Sequence, residues 1–226
     1  MQCNMCRSDP VIFQPYSGRN LCRDHFIADF EARAKRAIRH HQWMRPGDHI
    51  AIHLSGDCKD RSLLFFLRRL AGRRRDVQIS IIPGNRETRE GPDGSSYEEA
   101  AVRIGATSLA LPTSLDETAV SVLIAILRGL PAPVPFPGER RRAITRTIPR
   151  IFPFSRIPAE EIVLYAHLQG VGSDSSGTGD SCGILHDEAK TLLDKYSSRH
   201  PATKYAVANL GHQLAGCDLH IGEDIA

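Results

Sequence analysis

Asp48-His49-Ile50-Ala51-Ile52-His53-Leu54 runs into Ser55-Gly56-Asp57-Cys58-Lys59-Asp60-Arg61-Ser62 and then at once into Leu63-Leu64-Phe65-Phe66-Leu67-Arg68-Arg69-Leu70. The first stretch is a short apolar run bounded by turn residues, which predicts a buried strand. The second is small and polar, and the third has helical apolar spacing. A strand, a small-residue loop and a helix N-terminus make an anion site when unpaired backbone N–H groups and the helix dipole converge on a phosphate. The plainer alternative is a connection that binds nothing. A Walker loop is excluded, because Gly-x4-Gly-Lys-Ser/Thr is absent. Residues 77–82 form a second β-rich run ended by Pro83-Gly84. Strand, helix, strand with a right-handed crossover predicts two parallel strands with ligands at their carboxyl ends.

Upstream, Cys3-x2-Cys6 is followed by fifteen residues and Cys22-x2-His25. Two residues between ligands let both side chains point into one turn, and four such ligands close a tetrahedral zinc shell with no position open to substrate. The site is therefore expected to be structural zinc. Residues 26–44 repeat apolar or small side chains at three and four, with Arg33, Lys35, Arg36 and Arg39 between them, which predicts an amphipathic helix with a basic face.

Downstream, residues 83–96 read as a polar Gly/Pro-rich loop, 97–104 as a short helix and 108–111 as a short strand. A helix over 112–127 carries Asp116 and Glu117 in its first turn, where the dipole favours acids, so capping is their plain role. Residues 131–158 hold seven prolines and the cluster Arg140, Arg141 and Arg142, and are expected to be extended and irregular. Helices are predicted over 159–168, 184–196 and 202–214, with a Gly/Ser loop at 171–183 containing Cys182.

The 226 residues, 41% of them apolar, suit one compact domain or one domain with a small appendage. Six cysteines, three of them within the first 22 positions, are too few and too uneven for a disulfide scaffold and point to metal instead. No apolar run approaches the roughly 20 residues of a membrane helix, and no secretory signal opens the chain. A cytoplasmic, soluble protein with no membrane partner is expected. The net charge of +3 conceals +8 over residues 1–75 and +5 over 139–156, against −4 over 76–138 and −6 over 157–226. The basic segments suit phosphate or nucleic acid, or are solvated helix faces.

The order of parts resembles the TtuA-type tRNA 2-thiolation enzymes of the PP-loop ATP pyrophosphatase superfamily. Four pieces carry the likeness: the Cys3/Cys6/Cys22/His25 module leading into a basic helix; the strand and loop of residues 50–62; Leu115-Asp116-Glu117-Thr118-Ala119; and residues 150–166, Arg-Ile-Phe-Pro-Phe-Ser-Arg-Ile-Pro-Ala-Glu-Glu-Ile-Val-Leu-Tyr-Ala. The likeness covers residue 1 to about residue 215. It implies an α/β fold: a parallel-sheet PP-loop ATP pyrophosphatase (adenine nucleotide alpha hydrolase-like) core with a small N-terminal zinc module. The corresponding segments are a zinc module at 1–26, a basic linking helix at 27–45, the core at 46–170 and a helical C-terminal region at 171–226.

By that resemblance the loop wraps the phosphates of ATP, and the enzyme adenylates the C2 oxygen of a tRNA uridine so that sulfur can displace it. Ser55, Gly56, Cys58, Lys59, Asp60 and Ser62 would form the phosphate site. Lys59 would offset phosphate charge, and Asp116 would hold Mg²⁺ or orient the nucleotide. The two are the implied catalytic residues. Arg36, Arg39 and Arg140–Arg142 would face tRNA. A ubiquitin-like sulfur carrier protein is the implied donor, and a homodimer or a paralogue partner stays open.

The chain departs from the family at marked places. The family loop reads Ser-Gly-Gly-Lys-Asp-Ser, whereas Asp57-Cys58 replaces one Gly here and Arg61 precedes the final Ser. Pro112-Thr113-Ser114 stands for Gly-His-Asn, and Glu117 for a second Asp. The family's Cys-x2-Cys pair is missing, and although Cys182 stands where a later ligand of the family's iron–sulfur cluster would lie, one thiolate cannot hold a cluster anchored by three or four, which puts the cluster in doubt. The family's second zinc ribbon is reduced to Cys217-Asp218-Leu219-His220. Two main readings follow: an ATP-dependent tRNA thiolation enzyme or a trimmed relative of one, or a catalytically degenerate zinc-containing RNA-binding or scaffold protein on the same fold. Another PP-loop activity, amidation or desulfuration of a small molecule, is a third.

Overall fold

The computed structural model describes residues 2–72, 74–84, 96–129, 148–172 and 184–217, with side chains to residue 214. In chain order the elements are β1 (Ile12–Gln14), β2 (Arg19–Leu21), α1 (Arg23–His40), β3 (His49–Leu54), α2 (Cys58–Ala71), β4 (Gln78–Pro83), α3 (Tyr97–Arg103), β5 (Ser108–Ala110), α4 (Leu115–Leu127), β6 (Arg150–Ile151), α5 (Ala159–Leu168), α6 (Ile184–Ser197) and α7 (Thr203–Cys217). They fall into two compact units, one drawn from residues 1–29, 114–136 and 178–226, the other from 30–113 and 137–177.

The second unit is built on a parallel sheet in the order β4-β3-β5-β6. Central β3 is the apolar run of residues 49–54, with Ile50, Ala51 and Ile52 fully buried. A continuous apolar strand, rather than an alternating one, is what a parallel sheet covered on both faces requires. The sequence places β3, β4 and β5 to within a residue or two. It misses β6, which lies in the stretch expected to be irregular. Two residues are too few to show a pattern, and tertiary pairing defines them: the Leu109 and Leu111 N–H groups donate to the Pro149 and Ile151 carbonyls at 2.9 and 3.0 Å.

Ala51, Ile82, Ala100, Ala101, Leu109 and Ile148 form one core of this unit. A second cluster is aromatic. Phe30 of α1 stacks on Tyr165 of α5 with ring centroids 4.0 Å apart and meets Phe154 edge-on at 5.1 Å, while Phe66 of α2 lies 5.7 Å from Phe154. Each fully buried ring stabilises the fold by roughly 1.5–3 kcal/mol, and each close pair adds roughly 0.5–1.5 kcal/mol. Beside it Glu31, itself buried, accepts from Tyr165 Oη at 3.2 Å, Lys35 Nζ at 2.9 Å and Arg69 Nη1 at 3.1 Å. Burial and then the Glu31 charge push the Tyr165 phenol well above its usual value.

The first unit contains a feature absent from the sequence expectation. Within the fifteen residues between Cys6 and Cys22, for which no strand is expected, lies the β1–β2 hairpin, turned at Gly18, whose φ is +66°, with the Ser17 and Gly18 N–H groups donating to the Gln14 carbonyl. The helix after it starts at Arg23 rather than 26, which places His25 in the first helical turn. Helix α4 packs on α6 and α7 through Ala119, Val120, Ala189 and Leu193, with Leu123, Ile124 and Val207 around them.

Candidate functional site

The hairpin and the start of α1 bring Cys3, Cys6, Cys22 and His25 together, and their ligand atoms all lie within 4.8 Å of one another. Cys6 and Cys22 Sγ are 3.6 Å apart. His25 Nδ1 lies 3.2 Å from Cys22 Sγ and 3.7 Å from Cys3 Sγ. Sulfurs about 2.3 Å from a tetrahedral zinc stand about 3.8 Å apart, and a sulfur–nitrogen pair somewhat less, so the four residues fit such an ion. Burial raises the Cys3 thiol, but backbone hydrogen bonds from Cys22, Met5 and Cys6 outweigh it and hold the group down at about 6. For Cys22 the backbone hydrogen bond from His25 pulls down, yet burial and the Cys6 and Cys3 sulfurs together push it up. Three sulfurs this close ionise together only around a cation.

At the carboxyl end of β3 the loop is shorter than its sequence predicts. Helix α2 begins at Cys58, not at Leu63, because Asp57 is an N-cap whose side chain accepts from Lys59 N–H at 3.2 Å. The open turn therefore consists of Ser55, Gly56 and Asp57. Gly56 has φ +93° and open space where a Cβ would stand, so the chain reverses there with one accessible face. Asp60, in the first turn of α2, folds back and accepts from the Ser55 N–H at 2.8 Å and its hydroxyl at 2.5 Å. Burial raises the Asp60 carboxyl, partly offset by the Ser55 bonds and the nearby His53. Buried Ser62 donates its hydroxyl to the Cys58 carbonyl at 2.7 Å. Cys58 is buried, its thiol pushed up by burial and by Asp57, which makes it a weak nucleophile.

Two residues before this loop, the buried His53 ring stacks on Tyr97 of α3 at 3.6 Å. A Cβ on Gly84 would lie 1.7 Å from His53 Nε2, so glycine at the end of β4 is what admits the imidazole. Desolvation lowers the His53 pKa, against the pull of Asp60, and favours the neutral ring.

In the first unit, Ser114 and Glu117 form a reciprocal capping box at the start of α4: Glu117 accepts from the Ser114 N–H at 2.7 Å, and Ser114 Oγ accepts from the Glu117 N–H at 3.3 Å. Asp116 instead meets Lys204 Nζ at 2.5 Å. Burial lowers the Lys204 pKa, but its bonds to Asp116 and Asp194 outweigh that and keep the ammonium charged.

Arg36 and Arg39, three positions apart on α1, are both exposed. Arg140, Arg141 and Arg142 lie outside the described residues, as do Cys182, His220 and the side chain of Cys217.

Residues 2–27 match the family model for the N-terminal LIM domain of 2-thiouridine synthetase TtuA. Along nearly its whole length the chain is similar to the tRNA 2-thiolation protein NcsA of Haloferax volcanii, 25% identical over 95% of this chain and 87% of that protein. The chain is thus similar to TtuA/NcsA-type tRNA 2-thiolation proteins along nearly its whole length. A further relative is the cytoplasmic tRNA 2-thiolation protein 1 of Drosophila grimshawi, 26% identical over 92% of this chain and 76% of that protein. The fold is that of the U34-tRNA thiolase NcsA from Methanococcus maripaludis, solved with its [4Fe-4S] cluster. The TM-score is 0.76 at 17% identity, covering 95% of this chain and 88% of that one.

Lys204, the His53–Tyr97–Gly84 stack and the hairpin are features that no sequence pattern above points to. No local pattern points to Lys204, because its partner is 88 residues away. The stack has a signal: a histidine near the carboxyl end of a largely apolar strand, two residues before a Ser-Gly turn.

Proposed function

We propose that the chain is an ATP-dependent tRNA uridine 2-thiolation protein that works in the cytoplasm. The observation that carries the reading is the occurrence of a four-residue cluster that could hold a metal and a Ser-Gly turn at the carboxyl end of a parallel strand, in a chain aligned over 95% of its length with a tRNA 2-thiolation protein. Zinc in the Cys3/Cys6/Cys22/His25 shell is structural, since four protein ligands leave no open position.

ATP supplies an adenylyl group. The uridine C2 oxygen attacks the α-phosphorus, pyrophosphate leaves, and a sulfur nucleophile then displaces AMP from C2. A carbonyl oxygen leaves poorly, whereas AMP leaves well. The residues of this chain position and neutralise. The Ser55-Gly56 turn and the first turn of α2 receive the phosphates, with the accessible face at Gly56 as the point of approach. Lys59 offsets phosphate charge, and Asp116 orients the nucleotide. Exposed Arg36 and Arg39, with Arg140–Arg142, contact the tRNA backbone, and a ubiquitin-like sulfur carrier protein delivers sulfur.

One observation favours the second reading, a catalytically silent RNA-binding relative: Asp57 and Asp60 already occupy donors that a phosphate would use. A single experiment separates the two. Isothermal titration of the full chain with ATP and Mg²⁺, alone and with tRNA, gives saturable binding under the first reading. tRNA affinity without ATP affinity establishes the second. In either case Arg36→Ala/Arg39→Ala lowers the slope of log affinity against log salt by about 2 if both touch phosphates.

A further inference from the structure

The first turn of α4 carries two acids, Asp116 and Glu117, and the structure gives each a different partner from within the protein. Glu117 closes the capping box with Ser114, its carboxylate also accepting from the Ser114 hydroxyl at 3.0 Å. Asp116 faces Lys204 of α7, whose Nζ sits 2.5 Å from Asp116 Oδ1 and 2.6 Å from Oδ1 of Asp194 on α6. The ammonium is mostly enclosed, its side chain 18% exposed. The helix that carries it is itself packed beside this residue. One turn along α7, Val207 packs against the α4–α6 core of Ala119, Val120, Ala189 and Leu193. The adjacent Tyr205 ring rests 4.9 Å from Tyr16 in the hairpin module. Lys204 is thus delivered by a packed helix rather than by a loose tail.

A divalent cation bound through Asp116 needs its carboxylate oxygen at about 2.0–2.1 Å for magnesium. On the lone pair that Lys204 already occupies a metal would collide with the ammonium, and elsewhere on the same carboxylate it would face that positive charge at close range, so metal and Lys204 compete for Asp116. We propose that Lys204 is the resident counter-ion of Asp116, taking the place at this carboxylate that a divalent metal would otherwise fill. Lys204 is then a positioning residue for the Asp116 carboxylate; a part for the pair in orienting a nucleotide rests on the thiolation reading, whereas the exclusion of metal does not.

Mn²⁺ is the probe, added to the full chain with its zinc module loaded and with neither ATP nor tRNA present. In wild-type protein Mn²⁺ leaves the backbone amides of 116–118 as sharp as those of the rest of the unit. Selective broadening of those amides overturns the proposal and needs no variant. In Lys204→Met, free Mn²⁺ counted by paramagnetic resonance reveals a new site at least tenfold tighter than any in wild type, and Asp116→Asn in the same chain removes it. A folded Lys204→Met protein without the gain, or a gain that survives Asp116→Asn, contradicts the proposal. Because no nucleotide is present, these outcomes are independent of whether ATP binds.

Discussion

Asp60 grips Ser55 twice, taking its backbone N–H at 2.8 Å and its hydroxyl at 2.5 Å, so both Ser55 donors in the turn after β3 are engaged by a carboxylate of the same chain. Burial raises this carboxyl, and the two Ser55 bonds lower it by favouring the charged form. Carbon-detected titration is expected to place Asp60 above an ordinary aspartate, and Ser55→Ala to move it higher still by removing one lowering bond. A folded-state pKa raised above the unfolded one stabilises most below the unfolded value and loses that contribution as pH rises through the folded one. Wild type therefore loses stability relative to Asp60→Asn as the solution is taken from acid to neutral, as paired urea titrations would read.

Asp57 adds a negative charge beside the proposed phosphate position while capping α2. Asparagine caps as well as aspartate, so Asp57→Asn keeps the helix start and removes the charge. Two unit charges about 4 Å apart repel by about 1 kcal/mol in water and more where solvent is excluded. ATP affinity is expected to rise about fivefold or more in Asp57→Asn by calorimetry, with the melting temperature nearly unchanged.

The metal module makes a stoichiometric prediction. Purified protein is expected to hold one zinc per chain in the N-terminal site, and Cys22→Ser to lose it, read by elemental analysis. Acid releases it as well, because protons compete for the thiolates.

Arg33 of α1 and Glu161 of α5 form a hydrogen-bonded ion pair inside the second unit, with Glu161 only 1% exposed. Removing one partner leaves a buried charge uncompensated, at a cost of about 3–5 kcal/mol, whereas an apolar pair of similar volume is close to neutral. Chemical denaturation should show Arg33→Met much less stable than wild type and Arg33→Met/Glu161→Met recovering most of the loss.

Much of this was readable in advance where the signal is local. The run 49–54 announces a buried strand, the Cys-x2-Cys and Cys-x2-His spacing announces the four residues that cluster, and the pattern over 112–127 announces the helix found at Leu115–Leu127. What escaped depends on partners distant in the chain. The start of α2 moved forward to Cys58 because Asp57 turned out to cap it, a role that the acid's unfavourable position beside a phosphate loop concealed. Arg33–Glu161 and Lys204–Asp116 join residues 128 and 88 positions apart, and only the packed helices bring them together. The two-residue strand β6 has no pattern of its own.

The most direct test of the central claim is to incubate the full chain with ATP, Mg²⁺, tRNA and a sulfur source, and to follow AMP and pyrophosphate release together with thiouridine in the tRNA digest. The account predicts tRNA-dependent release of both and a 2-thiolated uridine, abolished by Lys59→Ala. Tight tRNA binding with neither nucleotide release nor thiouridine would contradict it.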